Sequence, residues 1–433
     1  MKTTNPELNR NMIYSVFVRN HTKEGTFKAL EQDLERIKKL GTDILWLMPL
    51  YPVGEKERKG KDGSPYAIAD YEKTAPEMGT MEDFESLVRT ARSLGMKVII
   101  DIVFNHTSPD SKLWKTNPEW FYRNEKGKPS SLVEEWYDII DLDFSKPGLS
   151  DELLRILSGW ALRCDGFRCD VASRIPMDFW KKARQDADSK NPDLFWLAES
   201  CHLPFIKQIR DSGRTASSDS ELYEVFDAEY DYDLWHAYAA YLTGKQPLSS
   251  WMYELERQEA VYPLNYIKMR CLENHDNERF ASYIKKEQDW KNFTAMLFML
   301  KGMPLIYHGQ EYSNTHRPSI FDQDLVKPEG KDRSGYIARL AKIHKEILPA
   351  AGAVHFAADD KTDAAFIVRK PYASIFALKQ KAEQIPVPYE DGRYVNLMDE
   401  KPFEIRKGMV SADHLPAIFE YNGTMKDFEK REK

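Results

Sequence analysis

The chain has 433 residues, 42% hydrophobic and 30% charged, with 62 Lys and Arg against 69 Asp and Glu for a formal net charge of −7. That balance belongs to a soluble globular chain with room for one large domain plus additions, or two to three domains. It lacks the basic footprint of a nucleic-acid binder and the basic patch of a membrane-surface protein, so neither partner is expected.

No apolar run is long enough to span a bilayer, and Met1–Glu7 has no apolar signal core. The four cysteines, Cys164, Cys169, Cys201 and Cys271, form no Cys-x-x-Cys pair and fit no zinc spacing. They read as free thiols of a reducing compartment. A cytoplasmic protein is expected. Nothing in the sequence sets an oligomeric state.

In chain order, Met12–Val18 is apolar and β-branched enough for a strand. Thr26 then caps a helix in which Phe27, Leu30, Leu34, Ile37 and Leu40 recur at three- and four-residue steps, ending at Gly41. Ile44–Leu47 is a short, wholly apolar run, as in a strand buried on both faces. Thr80 with Asp83 reads as a capping box, opening a helix that stops at Gly95. Lys97–Phe104 is the next buried strand. Between Asn105 and Asp143 both periods are lost, and Trp114, Trp120, Phe121, Tyr122, Trp136 and Tyr137 crowd the stretch. Linkers are not this aromatic, so an inserted lobe is expected.

A helix resumes over Leu149–Leu162, and strands are predicted at Gly166–Asp170, Phe195–Ala198, Tyr223–Phe226, Lys268–Leu272 and Pro304–Tyr307. The last helix fits Tyr336–Leu348. Eight buried strands alternating with helices predict an α/β fold of the (β/α)8 barrel type. The alternative is an open doubly wound sheet. Its Gly-rich phosphate turn is missing, because Arg19-Asn20-His21-Thr22 follows the first strand. After Pro349 short strand-like runs such as Ala364–Val368, Ala373–Ala377 and Ala417–Phe419 predict a small C-terminal β domain. The expected organisation is a barrel over 1–348, a lobe inserted at 107–141 and a β domain over 349–433.

Catalytic groups of such a barrel collect where strands end. Here the third strand ends in Asp101, Asn105 and His106, and the fourth in Arg168 and Asp170. The fifth ends in Glu199, and the seventh in Glu273, Asn274, His275 and Asp276. A lone carboxylate at a strand end is commonly a helix cap, but four polar ends on one face form a site. No Gly-x-Ser-x-Gly turn is present for acyl transfer, and no zinc spacing. Paired carboxyls, one ionised and one protonated, are the apparatus of glycoside hydrolysis. Asp170 lies two residues beyond Arg168, on the same face of a strand, and a carboxylate beside a guanidinium stays ionised. That pair is also compatible with a structural ion pair. Glu199 follows the apolar run Phe195–Ala198, where desolvation would favour a protonated general acid.

Four segments in order, Asp101–His106, Gly166–Ala172, Leu197–Ser200 and Glu273–Asp276, resemble the four motif regions of the α-amylase family of glycoside hydrolases, glycoside hydrolase family 13. Tyr66–Tyr71 and Gly302–Glu311 add to the likeness. The resemblance implies a barrel with a lobe after the third strand and a C-terminal β-sandwich. It implies a retaining enzyme that cleaves α-glucosidic bonds, α-1,4 in the first instance, in maltooligosaccharides or starch-derived glucans through a covalent glycosyl-enzyme. α-Glucosidases and transglycosylases of the same family are the alternative, and a non-catalytic sugar-binding relative is a third. By the same resemblance Asp170 is the nucleophile, Glu199 the acid/base and Asp276 the third carboxylate. Arg168 orients Asp170, His106 and His275 bind sugar hydroxyls, and Tyr66 stacks under the ring. No cofactor is required for the chemistry. Asn105 and Asp141 match positions that bind structural calcium in some relatives. The alternative is that Asn105 only braces the loop. Ser173-Arg174 stand where many starch-cleaving members have Lys-His.

Overall fold

Short apolar runs became strands wherever both faces could be covered. In the computed structural model, which describes residues 4–426, eight parallel strands close a barrel: β1 (Ile13–Val16), β2 (Ile44–Leu47), β3 (Lys97–Ile102), β4 (Gly166–Cys169), β5 (Phe195–Ala198), β6 (Ala228–Tyr230), β7 (Lys268–Arg270) and β8 (Met303–Tyr307). Each strand pairs with its sequence neighbour, and β8 returns to β1. The open-sheet alternative is thereby set aside. Met1–Thr3, part of the stretch read for a leader, and residues 427–433 lie outside the described residues.

Ile13, Trp46, Ile99, Leu197, Tyr230, Met269 and Leu305 fill the barrel interior as one cluster. The opposite strand faces, including Leu45, Leu47 and Ile100, pack on the surrounding helices. Gly166 opens β4 because nothing larger fits: a Cβ there would lie 2.1 Å from the Phe195 carbonyl oxygen of β5.

The predicted capping box of Thr80 and Asp83 opens the helix Met81–Ser93. The predicted helix after Thr26 is instead two short ones, Phe27–Glu31 and Leu34–Lys39. The last helix runs Ser334–Lys342 and continues as a π-helical turn over Ile343–Ile347.

The sixth strand is a correction. Tyr223–Phe226 follows the helix Asp219–Leu222 as a turn, and the strand is Ala228–Tyr230. Here tertiary pairing overrides composition. Glu229 and Asp231 point away from the barrel axis and meet Lys268 (3.3 Å) and Arg270 (2.7 Å) of β7, while Tyr230 points inward.

The lobe is fenced by a two-residue ladder pairing His106–Thr107 with Ile140–Asp141. At the C-terminus a four-stranded antiparallel sheet joins His355–Asp359, Ala364–Arg369, Tyr372–Ala377 and Ala417–Glu420. Two two-stranded ladders share its core of Phe366, Ile375, Ile385, Tyr389, Phe403 and Phe419.

Candidate active site

A cavity of about 210 Å³ at the C-terminal ends of the strands is lined by Tyr66, His106, Arg168, Asp170, Glu199, His275 and Asp276. All the predicted catalytic and sugar-contacting residues therefore meet in one place.

Arg168 is at the centre and fully buried. Its Nη1 donates to Asp101 Oδ1 at 2.6 Å and to Asp170 Oδ1 at 2.7 Å. Its Nη2 lies 2.9 Å from Glu199 Oε1, and its Nε donates to the Tyr230 hydroxyl at 3.1 Å. Trp46, whose indole N–H donates to Asp101 Oδ2 at 3.0 Å, lies under the guanidinium, 5.3 Å away. One positive group faces three buried carboxyl groups, so they cannot all be charged. Burial pushes Asp101 up to about 7 despite Arg168. Burial raises Glu199 well above the usual carboxylate range, helped by the charges of Asp170 and Asp276 and opposed by Arg168. A protonated Glu199 is what a general acid requires.

The backbone after β4 is bent to serve Glu199. Val171 has φ +36° and ψ +46°, left-handed values that a β-branched residue rarely adopts. In that conformation its N–H donates to Glu199 Oε2 at 2.6 Å. Strain of this kind costs on the order of 1–3 kcal/mol and persists where the surroundings over-determine it.

Asp276 is 43% exposed to the cleft. Burial works to raise it, but His275, Arg168, the Tyr232 hydroxyl and Arg317 outweigh burial, and its carboxyl lies below the usual range. Tyr232 donates to its Oδ2 at 3.0 Å. His275 is pushed down to about 4 by burial and is neutral above that pH. Its Nε2 lies 2.7 Å from the Tyr66 hydroxyl, and the two rings stack 15° from parallel. Asn105 Nδ2 donates to His106 Nδ1 at 3.0 Å. Burial keeps His106 neutral, so its remaining proton sits on Nε2.

Sequence reasoning assigned no role to Trp46, Tyr230 or Tyr232, and it noted Asp101 only as a polar strand end. Tyr230 and Tyr232 went unrecognised because the sixth strand was placed too early. The signal was there: Asp227, Glu229, Asp231 and Asp233 alternate with Ala228, Tyr230, Tyr232 and Leu234, the period of a strand.

Asn105 and Asp141 do not line the catalytic cavity but a neighbouring groove. Calcium asks for six to eight oxygen ligands. Asp141 instead faces donors: Arg174 Nη2 at 2.8 Å and the Leu132 N–H at 2.9 Å on Oδ2, with Asn105 Nδ2 at 3.3 Å and the Ser131 hydroxyl at 3.4 Å on Oδ1. Among the described residues no group of three or more His, Cys, Asp or Glu is arranged around a metal position. The donor set suits a guanidinium and does not fit a calcium ion.

Barrel, lobe and carboxyl cluster define a glycoside-hydrolase type of site. The sequence matches the model of the Alpha amylase catalytic domain over residues 12–138 and 116–346, and that of the Bacterial Alpha amylase C-terminal domain over 359–419. The chain belongs to the α-amylase family. The crystal structure of an alpha-amylase from Lactobacillus plantarum is 41% identical, covers 96% of this chain and 100% of its own, and superposes with a TM-score of 0.92. That of a noncanonic maltogenic alpha-amylase, AmyB from Thermotoga neapolitana, is 30% identical over 96% and 99%, with a TM-score of 0.83. Among curated proteins, Alpha-amylase MalA of Haloarcula japonica is 26% identical over 71% of this chain and 44% of its own. The chain thus spans less than half the length of that relative.

Proposed function

We propose that this chain is a retaining glycoside hydrolase acting on α-glucosidic bonds, α-1,4 in the first instance, in maltooligosaccharides or starch-derived glucans. The observation that carries the reading is Arg168, which holds Asp170 on one terminal nitrogen and Glu199 on the other. Carboxyls gathered on one guanidinium suit the short separation of retaining enzymes, where a nucleophile and an acid/base flank one bond.

In this reading Glu199 gives its proton to the glycosidic oxygen as Asp170 attacks the anomeric carbon. The C1–O bond breaks and a covalent glycosyl-enzyme forms. Glu199, now ionised, takes a proton from water, which attacks the same carbon and releases Asp170. Two inversions give retention. Asp276, open to the cleft and held ionised by His275 and Tyr232, stabilises positive charge developing on the ring. His106 offers an Nε2–H to a sugar hydroxyl, and Tyr66 supplies a face under the ring. A sugar acceptor in place of water gives transglycosylation from the same intermediate.

Among the described residues no helix is long and apolar enough to cross a membrane. Three of the four thiols are buried and all are free, which supports a reducing, cytoplasmic setting. The test is hydrolysis of maltoheptaose followed by NMR. The α-anomer should appear first, and Asp170→Asn should lower turnover by orders of magnitude in a folded protein. Initial β-anomer would overturn retention, and near-normal turnover in the variant would overturn the nucleophile.

A further inference from the structure

Lys59, in the loop after β2, reaches the lobe after the neighbouring strand β3. Its ammonium lies 2.8 Å from Asp138 Oδ1, donates to the Glu135 carbonyl at 2.8 Å and sits 4.6 Å from the centre of the Tyr137 ring. This is not a solvated surface lysine: its side chain is 21% exposed and that of Asp138 only 5%.

The loop carrying Lys59 is also tied to the loop after β8. The N–H groups of Asp62 and Gly63 donate to the Phe321 carbonyl at 3.0 and 2.9 Å. Lys61 N–H donates to Asp322 Oδ1 at 2.7 Å, and Gln323 N–H to Asp62 Oδ2 at 2.8 Å. Gly60 has φ +67°, and a Cβ there would lie 2.7 Å from the Phe321 Cβ, so the approach of the two loops needs glycine. Three loops therefore make one wall. Lys59, Asp138, Ile320 and Phe321 of that wall line the same cavity as Asp170 and Glu199.

The barrel order says which end the wall closes. β5, which carries Glu199, lies across the barrel from β1, and β1 is flanked by β2 and β8. The loops after β2 and β8 thus stand opposite the proton donor. The leaving group departs on the side of the proton donor, so the glycone extends toward the wall. The cavity of about 210 Å³ is smaller than the ~300–1,000 Å³ of sites that enclose drug-sized ligands. It is on the scale of one hexose ring rather than two.

We propose that the Lys59–Asp138 pair closes the glycone end of the cleft, so that single glucosyl units are removed from non-reducing chain ends. The pair offers a donor and an acceptor side by side, which suits the free 4- and 6-hydroxyls of a terminal glucose. Lys59 is then a specificity-determining residue. This inference rests on the α-glucan reading above.

The test uses the full chain with two substrates, maltoheptaose and a maltoheptaoside whose terminal O4 and O6 are blocked. A site built around those hydroxyls rejects the blocked end, so the wild type should release glucose from the free substrate and cleave the blocked one on the order of 100-fold more slowly. Lys59→Ala should raise the blocked-to-free rate ratio and yield maltose or longer products from the free substrate. Asp138→Asn, which keeps the shape, should move the ratio the same way, and Lys59→Arg should hold it. Equal wild-type rates on both substrates, early wild-type products longer than glucose, or a ratio unmoved in both folded variants would overturn the inference and leave the α-glucan reading standing. No cleavage of either substrate by the wild type would overturn that reading and the inference with it.

Discussion

Arg174 Nη2 lies 2.8 Å from Asp141 Oδ2, with both side chains nearly buried at 5% and 2% exposure. Asp141 belongs to the ladder that closes the lobe, and Arg174 follows the strand that carries Asp170. A guanidinium thus ties the lobe to the segment that follows β4 and Asp170. It stacks on Trp136 (5.5 Å), which itself lines the catalytic cavity. Removing one partner leaves a buried charge, which costs about 3–5 kcal/mol. Arg174→Ala should therefore lower the unfolding free energy by about 3 kcal/mol. A chelator should leave the wild-type melting temperature unchanged in calorimetry. A rise on adding calcium would contradict the fit argued for Asp141.

The pH profile should be set on its basic side by Glu199. Its folded pKa is raised by burial, so the protonated acid survives above the ordinary carboxylate range. kcat/KM should fall as pH rises through that raised value. On the acid side, His275, whose Nε2 lies 2.7 Å from the Tyr66 hydroxyl, gains a positive charge near 4, and Asp276 loses its charge below its depressed pKa. The sign is fixed by direction: one group must keep a proton and two must stay without. Glu199→Gln should abolish the basic limb and lower kcat about 100–10,000-fold on a glucan. Rates on an aryl glucoside with an acidic leaving group should suffer less. A basic limb that persists in this variant would belong to another group.

Tyr230→Phe removes only the oxygen that accepts from Arg168 Nε at 3.1 Å. A buried hydrogen bond to a charged group contributes about 1.5–3 kcal/mol. Arg168 would then keep its carboxyl partners and the aromatic faces around it but lose the hydrogen bond from its Nε. If the alignment of Asp170 depends on it, kcat should fall roughly 10–100-fold with little change in KM. Loss of stability with unchanged kcat would make Tyr230 a packing residue only.

Much of this site was legible because its residues sit at the ends of strands that the sequence marks clearly. Phe195–Ala198 is wholly apolar, so Glu199 stood out beside it. Arg168 and Asp170 share a face by spacing alone. What spacing cannot show is that Arg168 is shared among Asp101, Asp170 and Glu199, since that needs β3, β4 and β5 side by side. Ala228–Tyr230 was hidden for the opposite reason. Its outward face carries charge that Lys268 and Arg270 of the next strand, with Gln258, make tolerable. A window centred on Tyr223–Phe226 looked more strand-like than the strand itself. The donors around Asp141 were hidden too, because the reach of Arg174 to it depends on how the lobe folds back. Lys59 gave no signal at all, because its partners in the lobe and the wall it joins are distant in the chain.

The central claim is that Asp170 becomes covalently glycosylated. The most direct measurement is peptide mass mapping after brief exposure to 5-fluoro-α-glucosyl fluoride, which forms glycosyl-enzymes that turn over slowly. One glucosyl label should appear on the peptide containing Asp170 and be absent in Asp170→Asn. A label on Asp276 or Glu199, or turnover of the fluoride with no label trapped at any carboxylate, would contradict the account.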